Sequence, residues 1–165
     1  MAPVSAQQDG LRGASANADA LADAVLTASR LLVSLSARSI AEVNDTITIA
    51  QFRVLVLLHT RGPMNQATLA GQLEVQPSTA TRMVDRLANA GLVERVPRTR
   101  RELAICLTDR GTDTVERATQ RRRQQIGAVI GRMTSQQQAD LIDALTAFTE
   151  AGDEPHVRPG VDAWL

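Results

Sequence analysis

Apolar residues recur along most of this chain at the three- and four-residue steps of amphipathic helices, and one short stretch breaks that rhythm. Leu21, Val25, Ala28, Leu32 and Leu35 form a near-heptad stripe with Ala24 and Leu31 beside it. That pattern predicts a helix over about 19–44 with an apolar face wider than one buried edge requires. Thr48 is placed to cap a second helix, about 49–61, with Phe52, Leu55, Val56 and Leu58 inward and Gly62-Pro63 as its stop. Leu69, Ala70 and Leu73 define a short helix over 65–73. Glu74-Val75-Gln76 interrupts it, because Pro77 disfavours helical geometry at Gln76 yet suits the first position of a new helix. In that helix, about 77–90, Ala80, Met83, Val84 and Leu87 share the inner face.

After the stop at Ala90-Gly91 the pattern changes. Leu92–Val96 and Leu103–Leu107 read as two strands, and the tip between them, Pro97-Arg98-Thr99-Arg100-Arg101-Glu102, is too polar for a core. Thr108 then caps a long helix to about 133, with Val115, Ala118, Ile126, Val129, Ile130 and Met133 apolar. Ser135-Gln-Gln-Gln138 has capping-box spacing and opens a last helix to about 150, with Leu141, Ile142, Leu145 and Phe148 inward. Residues 1–18 have hardly an apolar anchor and are expected to be disordered. The tail at 152–165, which holds Trp164, is expected to be unstructured. The fold class is mainly α with a small β-wing: a helix-turn-helix followed by a two-stranded hairpin.

The outer face of the 77–90 helix carries Ser78, Thr79, Thr81, Arg82, Asp85 and Arg86. Hydroxyls near a helix N-terminus meet phosphate oxygens and base edges, and an arginine one turn on takes guanine bidentately in the major groove. Taken alone, that face equally suits a solvated side of a core helix. The hairpin behind it favours DNA, because Arg98, Arg100 and Arg101 at its tip suit a narrow minor groove, although such tips are often plain surface charge.

Composition sharpens the choice of partner. The 165 residues hold two Phe, one Trp and no Tyr, so a base-stacking surface for single strands or RNA has little to work with. Formal charge is zero, and its distribution is uneven. Residues 76–102 contain six arginines against three acids, a local +3 that leaves −3 for the remainder.

Several ordered motifs together resemble the MarR family of winged-helix transcription regulators. They are Ile49-Ala-Gln51-Phe52-Arg-Val-Leu55; Leu69-Ala70; Pro77-Ser-Thr-Ala-Thr-Arg82-Met-Val-Asp85-Arg86-Leu87; Gly91-Leu92-Val93-Glu94-Arg95; and Leu107-Thr108-Asp-Arg-Gly111. The resemblance covers about 19–151 and implies a DNA-binding wing domain at 48–108, flanked by dimerisation helices at 19–44 and 109–151. It implies a homodimer presenting two recognition helices to an inverted-repeat operator in double-stranded DNA, with Ser78, Thr79, Thr81, Arg82, Arg86, Arg98, Arg100 and Arg101 as contacts. It also implies a ligand-responsive repressor, with a small aromatic or phenolic effector whose pocket residues carry no signature here. Two positions depart from the family pattern. Thr99 stands where a wing aspartate is usual in a hairpin about two residues short, and Gln76 replaces a serine cap, leaving Ser78 or water to share that role.

Other chemistry finds little support. Cys106 excludes an internal disulfide and is expected to be a buried, inert thiol on the second strand; His59 and His156 lie too far apart in the chain to build a metal site. No cofactor is implied. There is no phosphate loop, no G-x-S-x-G and no paired catalytic acid, so an enzyme is not indicated. Arg121-Arg122-Arg123 is expected as a solvated face with acidic partners rather than a second DNA contact, and Arg30 and Arg38, which could pair with a carboxylate, as solvated charges. No secretion pattern or membrane span is read, which implies cytoplasmic residence without a membrane partner. A winged helix serving only as a protein-interaction module is the remaining alternative, since fold alone does not fix function.

Overall fold

The computed structural model describes residues 4–99 and 102–152, with side chains described from residue 17 onward. Six helices and one hairpin follow in the order α1 (Val4–Ala41), α2 (Ile49–Arg61), α3 (Gln66–Leu73), α4 (Pro77–Asn89), β1 (Val93–Pro97), β2 (Leu103–Leu107), α5 (Asp109–Ile130) and α6 (Ser135–Ala151). The chain divides into two compact units after Leu35.

Within the first unit α1 is already helical from Val4, where disorder was expected up to residue 18. Ala, Gln, Leu and Arg in that stretch are good helix formers, and they extend a helix already nucleated further along. Leu21, Val25, Leu26, Leu31, Leu32 and Val33 are all exposed. The segment Asn17–Ala41 is also long and apolar enough by length and composition to cross a membrane, which amends the expectation that no such run exists.

The second unit is built around α2. Phe52, Val54, Leu55, Val56, Leu57 and Leu58 are all buried, so this helix is covered on nearly every side rather than along one stripe. Leu69 and Leu73 of α3, Val84 and Leu87 of α4, Val93 and Ile105 of the hairpin, and Val115 and Ala118 of α5 close over it. Local chemistry fixes the ends. Thr48 and Gln51 form a reciprocal capping box on α2, and Asn65 caps α3 through the Thr68 N–H. Gly62 adopts φ 77°, a left-handed value that releases the chain from α2 before Pro63.

The strands pair antiparallel, Val93 opposite Leu107 and Pro97 opposite Leu103. On its other edge β2 makes a single bridge to Met64, whose N–H and C=O both bond Ile105. Two strands cover little. Cys106 is therefore only half-buried, which corrects the expectation of a fully enclosed thiol.

Thr108 caps α5 through the Gly111 N–H at 3.0 Å while its hydroxyl donates to the Gly91 carbonyl at 2.8 Å. Near the middle of α5, Gln125 bonds Ser39 and Glu42, and Arg121 lies 3.6 Å from Glu42. Arg122 is half-buried and Arg123 exposed, so the triplet is partly drawn in; burial lowers the Arg122 pKa from its ordinary value.

Helix α6 is capped by Thr134, with Gln137 completing the box, one residue earlier than expected. Gln138 instead donates to the carbonyls of Ile130 and Met133 at the end of α5. None of its residues is buried. Ile142, Leu145 and Phe148, expected inward, are 66%, 53% and 58% exposed, because none of the described residues covers that face.

Candidate nucleic-acid interface

Helices α3 and α4 are joined by a tight turn in which Glu74 takes a left-handed φ of 56° and its N–H bonds carbonyls at the end of α3. Pro77 then sits in the first turn of α4 with Gln76 as the N-cap residue. Gln76 makes no side-chain capping bond, so the cap that the sequence placed in doubt is missing rather than replaced by glutamine. The helix presents its positive N-terminal end without an internal anion, an arrangement suited to phosphate.

Burying Ala80, Val84 and Leu87 turns the opposite side of α4 outward. Ser78, Thr81, Arg82 and Arg86 are exposed and Thr79 is half-buried. The Thr81 hydroxyl donates to the Pro77 carbonyl at 2.9 Å, and Arg82 Nε donates to the Ser78 carbonyl at 3.3 Å. Arg82 thus lies back along the helix toward its N-terminus, beside the hydroxyls. Arg86 projects one turn later over a shallow cavity of about 240 Å³ that also meets Thr48, Gln51, Thr79, Arg82 and Met83. Thr48 and Gln51 enter this surface only through tertiary packing of α2 against α4. In the sequence Thr48 signals only a helix cap and Gln51 only a position in the family motif.

Asp85 is the one acid on α4, and Arg95 of β1 reaches it, Nη2 to Oδ1 at 2.5 Å. At the far end of β1, Arg98 is exposed, and its N–H and that of Thr99 both bond the Glu102 carbonyl to close the hairpin. Arg100 and Arg101 lie outside the described residues. Among the described residues no cluster of three or more potential metal ligands occurs, and His59 is half-buried near the end of α2; His156 and Trp164 also lie outside the described residues.

This helical core with its two-stranded hairpin is also the fold of known proteins. A sequence model of the MarR family matches residues 47–100, from the cap of α2 to the hairpin tip. The solved structure of RV1404 from Mycobacterium tuberculosis is 54% identical, covers 82% of this chain and 94% of its own, and superposes with a TM-score of 0.76. The chain belongs to the MarR family of winged-helix transcriptional regulators. A curated relative, the HTH-type transcriptional repressor MdtR of Bacillus subtilis (strain 168), is 29% identical over 69% of this chain and 77% of its own length. A mutant MepR of Staphylococcus aureus, solved bound to an oligodeoxyribonucleotide, shares the fold at a TM-score of 0.64 and 17% identity, covering 79% of this chain and 96% of its own. Within the MarR fold α3 and α4 are the helix-turn-helix and β1–β2 the wing. Membership in a family of regulators also answers the enzyme question: the chain is a regulator, not a catalyst.

Proposed function

We propose that this protein is a homodimeric repressor that binds an inverted-repeat operator in double-stranded DNA. The single observation that carries the reading is the outward face of α4, where Ser78, Thr81, Arg82 and Arg86 are exposed beside a helix N-terminus without a side-chain cap. In this reading Arg82 takes a base edge, Ser78, Thr79 and Thr81 meet phosphate or bases, and Arg86 holds the backbone. Arg98, Arg100 and Arg101 enter the adjacent minor groove. The repressor name of MdtR and the oligonucleotide bound to MepR support this direction of action and this partner.

A second copy of the chain covers the exposed apolar faces. Ile142, Leu145 and Phe148 on α6 present a contiguous apolar stripe, and α1 offers six further large apolar side chains. A membrane is the poorer partner for Asn17–Ala41, because Arg30 near its middle would cost about 2.5–3.5 kcal/mol at a bilayer centre and Asp19, Asp23 and Arg38 add charge on either side. Cytoplasmic residence follows from the DNA partner. Dimer symmetry sets the half-sites about 10 bp apart on one side of the duplex. A small aromatic or phenolic effector releases the operator by preferring an arrangement of the two wing domains that no longer matches this spacing.

Selection from a random duplex library tests the reading. The expected product is an inverted repeat with half-sites about one helical turn apart. Enrichment of no duplex, or of a single unrepeated site, overturns it.

A further inference from the structure

Asn65 occupies a junction that neither the helix-turn-helix nor the wing accounts for by itself. Its Oδ1 accepts the Thr68 N–H at 2.8 Å and caps α3, while its Nδ2 donates to Glu102 Oε1 at 2.7 Å across 37 residues of chain. Glu102 opens the return arm of the wing. Its own backbone carbonyl accepts the N–H groups of Arg98 and Thr99, so its position fixes the closure of the tip. One residue before Asn65, Met64 pairs with Ile105 through two backbone bonds of 3.3 and 2.9 Å. The wing is therefore tied at two neighbouring points to the segment that starts α3, once by backbone and once by a hydrogen bond to a carboxylate, which is stronger than one between neutral groups. The chemistry admits one arrangement: an asparagine that must accept from Thr68 has only its amide N–H left for Glu102.

We propose that Asn65 is a positioning residue for the wing, setting the angle at which its arginines meet DNA by holding Glu102 against the start of the helix-turn-helix. The inference rests on the DNA-binding reading. Glu102 is held at the base of the tip by a neutral donor, which keeps its charge on the side facing α3. Freed, the carboxylate would be able to swing toward the exposed Arg98 and lessen the positive charge offered to phosphate.

Asn65→Asp separates the two jobs of the side chain. Aspartate caps a helix as well as asparagine does, but it sets a second carboxylate against Glu102. The double variant Asn65→Asp with Glu102→Gln restores a hydrogen bond in the opposite sense. Asn65→Ser keeps a cap and is too short to reach Glu102. The probe is a duplex selected by the wild-type protein, read by hydroxyl-radical protection of the minor groove at its flanks and by guanine N7 protection in the major groove. Asn65→Asp and Asn65→Ser should still unfold cooperatively with a modestly lowered Tm, bind about tenfold more weakly, lose flank protection and keep guanine protection. Glu102→Gln added to Asn65→Asp should return the flanks. Unchanged flank protection in Asn65→Asp overturns the proposal, as does a loss that Glu102→Gln fails to reverse. If the wild type selects no duplex, the DNA-binding reading itself fails, a result distinct from either.

Discussion

Arg95 on the first wing strand is clamped to Asp85 on the recognition helix, with Nη2 and Oδ1 2.5 Å apart. The pair joins the two elements proposed to touch DNA and neutralises the sole acid on α4. Both side chains are partly exposed, at 34% and 52%, so the contact contributes at most about 1 kcal/mol to folding. Its larger consequence is electrostatic. Arg95→Ala should leave thermal stability nearly unchanged while weakening duplex affinity several-fold, because Asp85 then faces phosphate unpaired. Adding Asp85→Asn should recover most of the loss, and a double-mutant cycle on affinity measures the coupling.

Arg82 and the tip arginines should fail in different ways. Arg82→Ala should erode discrimination between selected and scrambled duplexes by roughly 1–3 kcal/mol, the worth of a bidentate base contact. Arg100→Ala should cost affinity more evenly across sequences and reduce the salt slope by about one. Competition titrations at several salt concentrations separate the two behaviours.

Gly111 is required by close approach rather than by its backbone angles. A Cβ there would lie 2.1 Å from the Leu92 carbonyl oxygen and 3.0 Å from Leu107 Cδ2, at the point where Thr108 ties the start of α5 to Gly91. Backbone cannot yield as a side-chain tip can. Gly111→Ala should destabilise by about 1–3 kcal/mol, the range for overpacking, as read by denaturant unfolding.

The exposed stripe on α6 gives a test of assembly. Leu145→Glu combined with Phe148→Glu disturbs little of the core, since both side chains are more than half exposed. Sedimentation should show a dimer converted to monomer. Duplex affinity should fall with it, because a single recognition helix reads only a half-site.

Several helix starts were legible in the sequence from local chemistry. Thr48, Pro77 and Thr108 each stand at the boundary their chemistry predicts, and the inner faces of α3 and α4 follow from spacing alone. The first turn of α6 misled by one residue, because Thr134 and Ser135 both have a glutamine three positions on. Only the carbonyls of Ile130 and Met133, which claim Gln138, break the tie. The start of α1 was hidden by composition, since a polar, alanine-rich run reads as disorder or as helix depending on what lies next to it. At the interface, the sequence displays the hydroxyls and arginines of α4 but not the ties among elements. Asp85 with Arg95 and Asn65 with Glu102 are ten and 37 residues apart, and no periodicity links them. The stripe on α6 was readable as apolar, and a stripe states that a face is covered without stating by which chain.

The most direct test of the account is the affinity of the wild-type protein for its selected inverted repeat, measured by fluorescence anisotropy from about 50 to 200 mM salt. A regulator neutralising six to ten phosphates should lose about three to five orders of magnitude in affinity across that range, with one dimer bound per repeat. Affinity that does not change with salt, or absent at every salt concentration, would contradict it.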